Sequence, residues 1–159
     1  KPGGKGRHFY FQQDVKTAKT ALQVVKIKPE NCLALMREMQ ENSRLFQHTG
    51  GVHNAALCSA DKVMVTRSDI GRHNALDKLY GYCLLHQIPV HDKLIVFSGR
   101  ISSEVLLKAA KIGVSAVISK SAPTELAIQM AEDLNIMTIG FARNRSFNVY
   151  THHERLQLS

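Results

Sequence analysis

Residues 94–141 read LIVFSGRISSEVLLKAAKIGVSAVISKSAPTELAIQMAEDLNIMTIGF, and this stretch decides the fold. Three short apolar runs in it are typical of buried strands, at 94–97, 114–118 and 136–141. Between these runs, residues 103–111 and 122–135 carry apolar side chains at helical spacing. Strands that alternate with amphipathic helices predict a parallel sheet with helices on both faces.

The chain before this stretch adds a helix, a hairpin and a second helix. Pro29 suits the first turn of a helix, and an apolar stripe follows it at Cys32, Leu35, Met36, Met39 and Phe46. Apolar runs at 52–57 and 62–66 predict a hairpin, and Leu76 to Leu84 form the face of the second helix. Further strand-like segments lie at 8–11 and 147–150. The predicted fold is therefore α/β, a three-layer α/β/α sandwich with a mixed, mostly parallel sheet and an antiparallel edge.

Composition and charge limit the class of partner. The chain has 159 residues with 44% apolar and 21% charged side chains, which is typical of one globular domain. The net charge of +8 favours an anionic partner. No run of five basic residues and no membrane-length apolar run occurs. Residues 1–7 are polar and basic with no apolar region behind them, so we do not expect them to be a signal peptide. We therefore expect no membrane association, and nucleic acid is a disfavoured partner because aromatic side chains for base stacking are few.

The three cysteines, Cys32, Cys58 and Cys83, form neither a disulfide framework nor a CxxC pair. Each lies in an apolar stretch, so we expect buried thiols in a reducing, cytoplasmic compartment. The sequence also lacks a Walker loop, a GxGxxG fingerprint, a GxSxG elbow and the zinc-deaminase signature.

Basic residues follow successive strands of the predicted sheet. The segments concerned are 67–74, 98–103, 119–124 and 142–146. Because ligands of open α/β sheets bind beyond the carboxyl ends of the strands, these segments should gather cations at one edge. The cations are Arg67, Arg72, Arg100, Lys120, Arg143 and Arg145. Converging cations beside hydroxyl groups and helix starts indicate a phosphate or pyrophosphate site, although each loop alone is also explained by helix capping.

Five motifs in order resemble the FdhD family of formate dehydrogenase accessory proteins. They lie at 49–56, 69–78, 97–104, 119–124, and 140–141 with 148–151. The resemblance runs without a break from Thr49 to Arg155. It implies a cytidine-deaminase-like α/β/α fold without zinc. Residues 1–28 are interpreted as the remnant of an N-terminal region or linker, and 29–159 as a cofactor-binding α/β domain.

The function implied by this resemblance is that of a sulfur carrier. Family members accept sulfane sulfur from a cysteine desulfurase as a persulfide. They pass it to the molybdenum of bis(molybdopterin guanine dinucleotide), bound as a substrate, for formate dehydrogenase, so a guanine nucleotide should mimic the cofactor. A homodimer is also expected. The family's persulfide cysteine lies in a CxxC loop absent here, so we assign no catalytic residue and expect that cysteine upstream of Lys1; a different cysteine of the chain is the alternative.

The resemblance places the main cofactor-binding stretch at Phe141, Ala142, Arg143, Asn144, Arg145 and Ser146. The other candidate binding residues come from the loops at the predicted edge: Gly50, Gly51, His53, Asp69, Gly71, Arg72, His73, Asn74, Ser98, Gly99, Arg100, Ser119, Lys120 and Ser121. No metal ligands are predicted.

Specific expectations concern the loop at 69–74 and the histidines. Gly71 is expected to have a positive φ or to allow a close approach, Asp69 to orient Arg72 or His73, and Asn74 to open the helix. His73 is either a general acid or base or a structural residue. His53 is either a functional residue at the same edge or a structural one. His152 and His153 are expected in solvent. The alternative function is a guanine-nucleotide-binding regulatory domain or an RNA-binding domain without transfer chemistry.

Overall fold

The structure, a computed structural model, describes residues 25–45, 51–143 and 145–158. The elements in chain order are α1 (Pro29–Leu45), β1 (His53–Cys58), β2 (Val63–Asp69), α2 (Arg72–Leu85), β3 (Leu94–Phe97), α3 (Ser103–Ile112), β4 (Ala116–Ser119), α4 (Glu125–Asp133), β5 (Met137–Arg143) and β6 (Ser146–Thr151), followed by a 3-10 turn at His153–Arg155. The predicted strand-like cluster at 8–11, Phe46 of the first helix stripe, Gly50 and Asn144 lie outside the described residues.

The strands form one six-stranded sheet in the order β2-β1-β3-β4-β5-β6. As predicted, β3, β4 and β5 are parallel neighbours, and β1 pairs antiparallel with β2. Because β1 is also antiparallel to β3, β2 runs in the same direction as the three parallel strands. The carboxyl ends of β2 to β5 therefore lie at one edge of the sheet with the amino ends of β1 and β6. We call this the C-terminal edge.

Helices cover both faces of the sheet, which confirms the predicted three-layer sandwich. On one face, buried side chains of α2, α3 and α4 form a continuous cluster with the sheet. On the other face, α1 contributes Cys32, Leu35, Met36 and Met39 to a second cluster. The described part of the sheet is therefore buried between two apolar clusters, one on each face.

The fourth helix begins later than predicted. We expected a helix over 122–135, but α4 begins at Glu125, after an N-cap at Thr124 whose hydroxyl accepts a hydrogen bond from the Ala127 amide at 3.1 Å. The preceding backbone is extended because Pro123 forms a parallel bridge with Ile101. Capping and this bridge together keep the 121–124 loop at the C-terminal edge.

The residues after β6 lie at the edge of the sheet opposite the C-terminal edge. Arg155 is only 4% exposed, and its guanidinium donates to the carbonyl oxygens of Ser115 at 3.0 Å and Asn135 at 2.8 Å. His152 was expected in solvent, and this prediction is wrong. Its side chain is 14% exposed, and its Nε2 lies 3.4 Å from the Ala131 carbonyl oxygen. A left-handed backbone at His152 turns the ring onto α4, while His153 is exposed.

Candidate functional site

The C-terminal edge brings the predicted loops together. It collects the ends of β2, β3, β4 and β5, which precede the candidate segments. With neighbouring strands about 4.8 Å apart, the distance from β2 to β5 along the edge is roughly 19 Å. The edge therefore has two halves, one at β2, β1 and β3 and one at β4 and β5.

His53 lies in the first half, at the start of β1. Its ring stacks on Phe97 at a centroid distance of 6.3 Å. A Cβ at Gly99 would lie 3.0 Å from Nδ1 of His53, so glycine permits this close approach. Burial and, to a lesser extent, the charge of Arg72 lower the pKa of His53. Both effects disfavour the protonated form of the His53 imidazole.

The start of α2 differs from the sequence expectations. The helix begins at Arg72 rather than at Asn74, and Gly71 is its N-cap with a φ of −87°, so the expected positive φ is wrong. Asp69 does not orient Arg72 or His73. Its carboxylate accepts hydrogen bonds from the Gly71 amide at 2.9 Å and from the side chain of Asn74 at 3.4 Å. The short turn from β2 into α2 directs the carboxylate at its own backbone.

The charges of this turn are partly paired. Nζ of Lys78 lies 2.9 Å from Oδ2 of Asp69. The Gly71 amide and Lys78 hold the pKa of Asp69 at about 2, below its usual 3.8. His73 contacts α3 instead, with its Nε2 3.3 Å from Oε2 of Glu104. Arg72 forms no ion pair within the described residues, so its charge is available to a ligand.

The serines of the edge shape its loops. The Ser98 hydroxyl accepts a hydrogen bond from the Asn54 amide at 2.9 Å. The Ser119 hydroxyl donates to the Gly99 carbonyl oxygen at 2.5 Å and accepts from the Ser121 amide at 2.9 Å. These bonds connect the loop after β3 to the loop after β4, so the positions of both loops are coupled.

Arg67 and Arg100, two of the predicted cations, have different surroundings in the first half of the edge. Arg67 lies within β2, because the strand continues to Asp69 instead of ending at residue 66. Its guanidinium carbon is 4.8 Å from the centre of the Tyr82 ring, where α2 holds it by a cation–π contact. Arg100 is exposed and has no ion-pair partner in the described ranges. Arg100 therefore fits the predicted cationic edge better than Arg67.

The second half has an unusual backbone at Phe141. This residue has a φ of +55°, which is rare for a bulky side chain. The register of β5 and β6 shifts between Gly140 and Arg143, as in a β-bulge. The bulge leaves Ala142 in the core on the α1 side and Arg143 exposed at the strand end. Strained backbone of this kind is concentrated at functional sites.

Close packing supports this bulge. A Cβ at Gly140 would lie 2.9 Å from the Ser121 carbonyl oxygen, 2.9 Å from Cε2 of Tyr150 and 3.0 Å from Cδ of Pro123. The Phe141 amide donates to the same Ser121 oxygen at 3.2 Å. The predicted stretch at 141–146 and the loop after β4 are therefore in direct contact.

A groove of ≈ 300 Å³ opens between this half of the edge and α1. Its lining residues are Leu33, Met36, Arg37, Gln40, Lys120, Ala142 and Arg143. Lys120, Ala142 and Arg143 were predicted from the sequence as binding residues, and the four residues from α1 were not. Arg37 and Gln40 are three positions apart, beside the apolar stripe of the helix, and this spacing could have indicated a polar border facing the sheet edge. Arg145 and Ser146, at the start of β6, are exposed nearby in the chain.

The cysteines are buried, as predicted, and chemically quiet. Burial raises the pKa of Cys32 to about 12, and it raises the pKa values of Cys58 and Cys83 as well. Such thiols are poor nucleophiles at neutral pH. The described residues hold no group of three His, Cys, Asp or Glu side chains that could bind a metal ion. They also contain no helix that is both long and apolar enough to cross a membrane.

Comparisons with known proteins agree with this architecture. The chain is similar to the sulfur carrier protein FdhD of Bacillus licheniformis, with 86% identity over 156 residues, covering 98% of this chain and 59% of that protein. It is 77% identical over 154 residues to the sulfur carrier protein FdhD of Bacillus subtilis, covering 97% and 59%. The chain thus spans about three fifths of the length of these relatives.

A solved structure agrees as well. The crystal structure of a proposed formate dehydrogenase accessory protein from Desulfotalea psychrophila matches with a TM-score of 0.81 and 27% identity, covering 91% of this chain and 62% of that one. The model of the FdhD/NarQ family matches residues 1–157. This chain therefore belongs to the FdhD/NarQ family.

Proposed function

We propose that this chain is the cofactor-binding part of a sulfur carrier that serves formate dehydrogenase. In this function, sulfane sulfur arrives from a cysteine desulfurase as a persulfide. It is then passed to the molybdenum of bis(molybdopterin guanine dinucleotide), which the C-terminal edge holds as a substrate. The 86% identity to a protein named as a sulfur carrier is the observation that carries the proposal.

The geometry of the C-terminal edge supports binding of this substrate. Lys120 and Arg143 line one groove, while Arg72 and Arg100 lie at the other half of the edge. None of the four forms an ion pair in the part of the chain that the structure describes. A cationic edge roughly 19 Å long suits an extended ligand with several phosphate groups better than a single phosphate.

The cysteines support a division of labour in this proposal. A thiolate is the form that accepts and passes sulfur, and burial disfavours it at Cys32, Cys58 and Cys83. We therefore assign the persulfide to a cysteine other than these three. The free thiols also favour a reducing, cytoplasmic compartment.

A chimaera tests the proposed function. In this chimaera, the matching part of the present chain replaces the corresponding 156 residues of the Bacillus licheniformis relative. The chimaera is expressed in a host whose own gene for that protein is deleted. We expect formate dehydrogenase activity to return. A folded chimaera that binds GDP but restores no activity would favour the alternative, a regulatory nucleotide-binding domain, and would overturn the sulfur-carrier proposal.

A binding measurement tests the cofactor assignment separately. Arg143→Ala should weaken GDP binding by about 1.5–3 kcal/mol, the usual value of charge-assisted hydrogen bonds. Calorimetric titration of wild type and variant measures this difference. Equal affinities would remove Arg143 from the site.

We also propose that the protein is a homodimer. The edge strand β2 and the helix α2 leave large apolar side chains in solvent, at Met64, Tyr80, Leu84 and Leu85. A second copy covering them would remove this apolar surface from water. Light scattering should give twice the chain mass, and a Leu84→Lys, Leu85→Lys variant should give the monomer mass. A monomeric wild type would refute the dimer.

A further inference from the structure

The groove between α1 and the C-terminal edge combines an apolar floor with a cationic border. Met36 and Ala142 are buried in its floor, and Leu33 is half-buried beside them. The border carries the side chains of Arg37, Gln40, Lys120 and Arg143. Three positive charges thus converge on one concave surface from three separate elements of the fold.

These cations are not neutralised by carboxylates, unlike Arg44 of the same helix and Lys108 of α3 on the other face of the sheet. Arg44, on the same helix, has its Nη2 3.0 Å from Oε1 of Glu41, and Lys108 has its Nζ 2.6 Å from Oδ1 of Asp77. Within the described residues, Arg37, Lys120 and Arg143 have no carboxylate partner. Converging like charges repel each other, and an anion placed between them would relieve this repulsion.

The backbone at β5 fixes one side of the groove. The left-handed Phe141 and the bulge after Gly140 bring Ala142 to the α1 side. The guanidinium carbon of Arg143 lies 5.6 Å from the centre of the Phe141 ring, within cation–π distance. Arg143 therefore has a support that limits its freedom before any ligand binds, and less entropy is lost on binding.

We propose that Arg37 and Gln40 of α1 complete a phosphoryl-binding groove with Lys120 and Arg143. The guanidinium of Arg37 would form charge-assisted hydrogen bonds with phosphate oxygens, and Gln40 would donate its amide hydrogens to the same group. The inference rests on the proposed function, because the phosphoryl group would be that of the guanine dinucleotide. The inference adds α1 to the binding surface, although this helix packs on the opposite face of the sheet from α2, α3 and α4.

Titration calorimetry with GDP and with inorganic pyrophosphate tests this inference. We expect Arg37→Ala to weaken binding of both ligands at least about tenfold, as the loss of charge-assisted hydrogen bonds requires. The matched control is Arg44→Ala, which removes the same charge from the same helix but not from the groove. Unchanged thermal midpoints of both variants would show that folding is preserved.

The possible results separate the two proposals. Equal affinities of the Arg37→Ala and Arg44→Ala variants for GDP would overturn the role of α1 and leave the cofactor proposal standing. Binding of pyrophosphate but not of GDP, with loss in Arg37→Ala, would support the groove and overturn the guanine dinucleotide as its ligand. Failure of the wild-type protein to bind either ligand would overturn both proposals.

Discussion

Gly140→Ala tests whether contact between β5 and the 121–124 loop builds the second half of the edge. The added methyl group would lie 2.9 Å from the Ser121 carbonyl oxygen, 2.9 Å from Tyr150 and 3.0 Å from Pro123. Carbon atoms rarely approach other heavy atoms this closely, and the three neighbours are a backbone oxygen and two ring atoms, none of them the far end of a flexible side chain. The strand must therefore move away from the loop, which also weakens the Phe141 hydrogen bond to Ser121.

The expected cost follows from this overpacking. Insertion of one methyl group into a rigid site costs about 1–3 kcal/mol, and we expect the upper half of that range here. For a domain of this size, the thermal midpoint should fall by roughly 5–10 °C. Calorimetry or circular dichroism measures the midpoint directly.

Gly81→Ala is the matched control for this prediction. Gly81 lies within the exposed face of α2, and nothing lies within 4 Å of a Cβ placed there. In the Leu84→Lys, Leu85→Lys background, where no second copy should cover this face, the same substitution should stabilise the protein by about 0.5–1 kcal/mol because alanine is a better helix former. If Gly140→Ala is as stable as wild type, the close packing of the bulge against the loop is wrong.

Three further predictions concern individual side chains. Thr151→Val should destabilise the protein by about 2 kcal/mol in denaturant unfolding, because its hydroxyl satisfies two buried backbone groups at 2.8 and 2.7 Å. Since contacts with the backbone and Lys78 lower the pKa of Asp69 to about 2 from 3.8, the stabilisation it provides is complete above about pH 4 and lost toward pH 2. The thermal midpoints of wild type and Asp69→Asn should therefore differ at pH 7 and converge at pH 2; a constant difference would contradict this. Burial and the charge of Arg72 lower the pKa of His53, so an NMR titration of Arg72→Ala should give a higher midpoint for His53 than wild type, and an equal midpoint would refute the coupling.

Hydrophobic periodicity predicted the sheet and its layers because burial on both faces makes parallel strands continuously apolar. The run at 94–97 coincides with β3, and the runs at 114–118 and 136–141 correspond to β4 and β5 with ends shifted by one or two residues. The predicted start of α4 was wrong because the bridge between Ile101 and Pro123 is a tertiary contact, which the local pattern of apolar residues does not encode.

Less of the candidate site than of the fold could be predicted from the sequence. Topology placed Lys120 and Arg143 at one edge, as the alternation of strands and helices required. The contribution of Arg37 depends on how α1 lies across the face of the sheet opposite α2, α3 and α4. The hydrogen-bond partners of Asp69 depend on the two-residue turn between β2 and α2. Neither follows from composition or periodicity, because both are decided by distances between groups after folding.

We propose that the C-terminal edge binds the guanine dinucleotide, and amide chemical-shift mapping with GDP tests this most directly. We predict that the largest shifts occur at Lys120, Phe141 and Arg143. Ser115, at the opposite edge of the sheet beside Arg155, should remain unchanged and serves as an internal control. Shifts concentrated around Ser115, or no shifts at saturating GDP, would contradict the account.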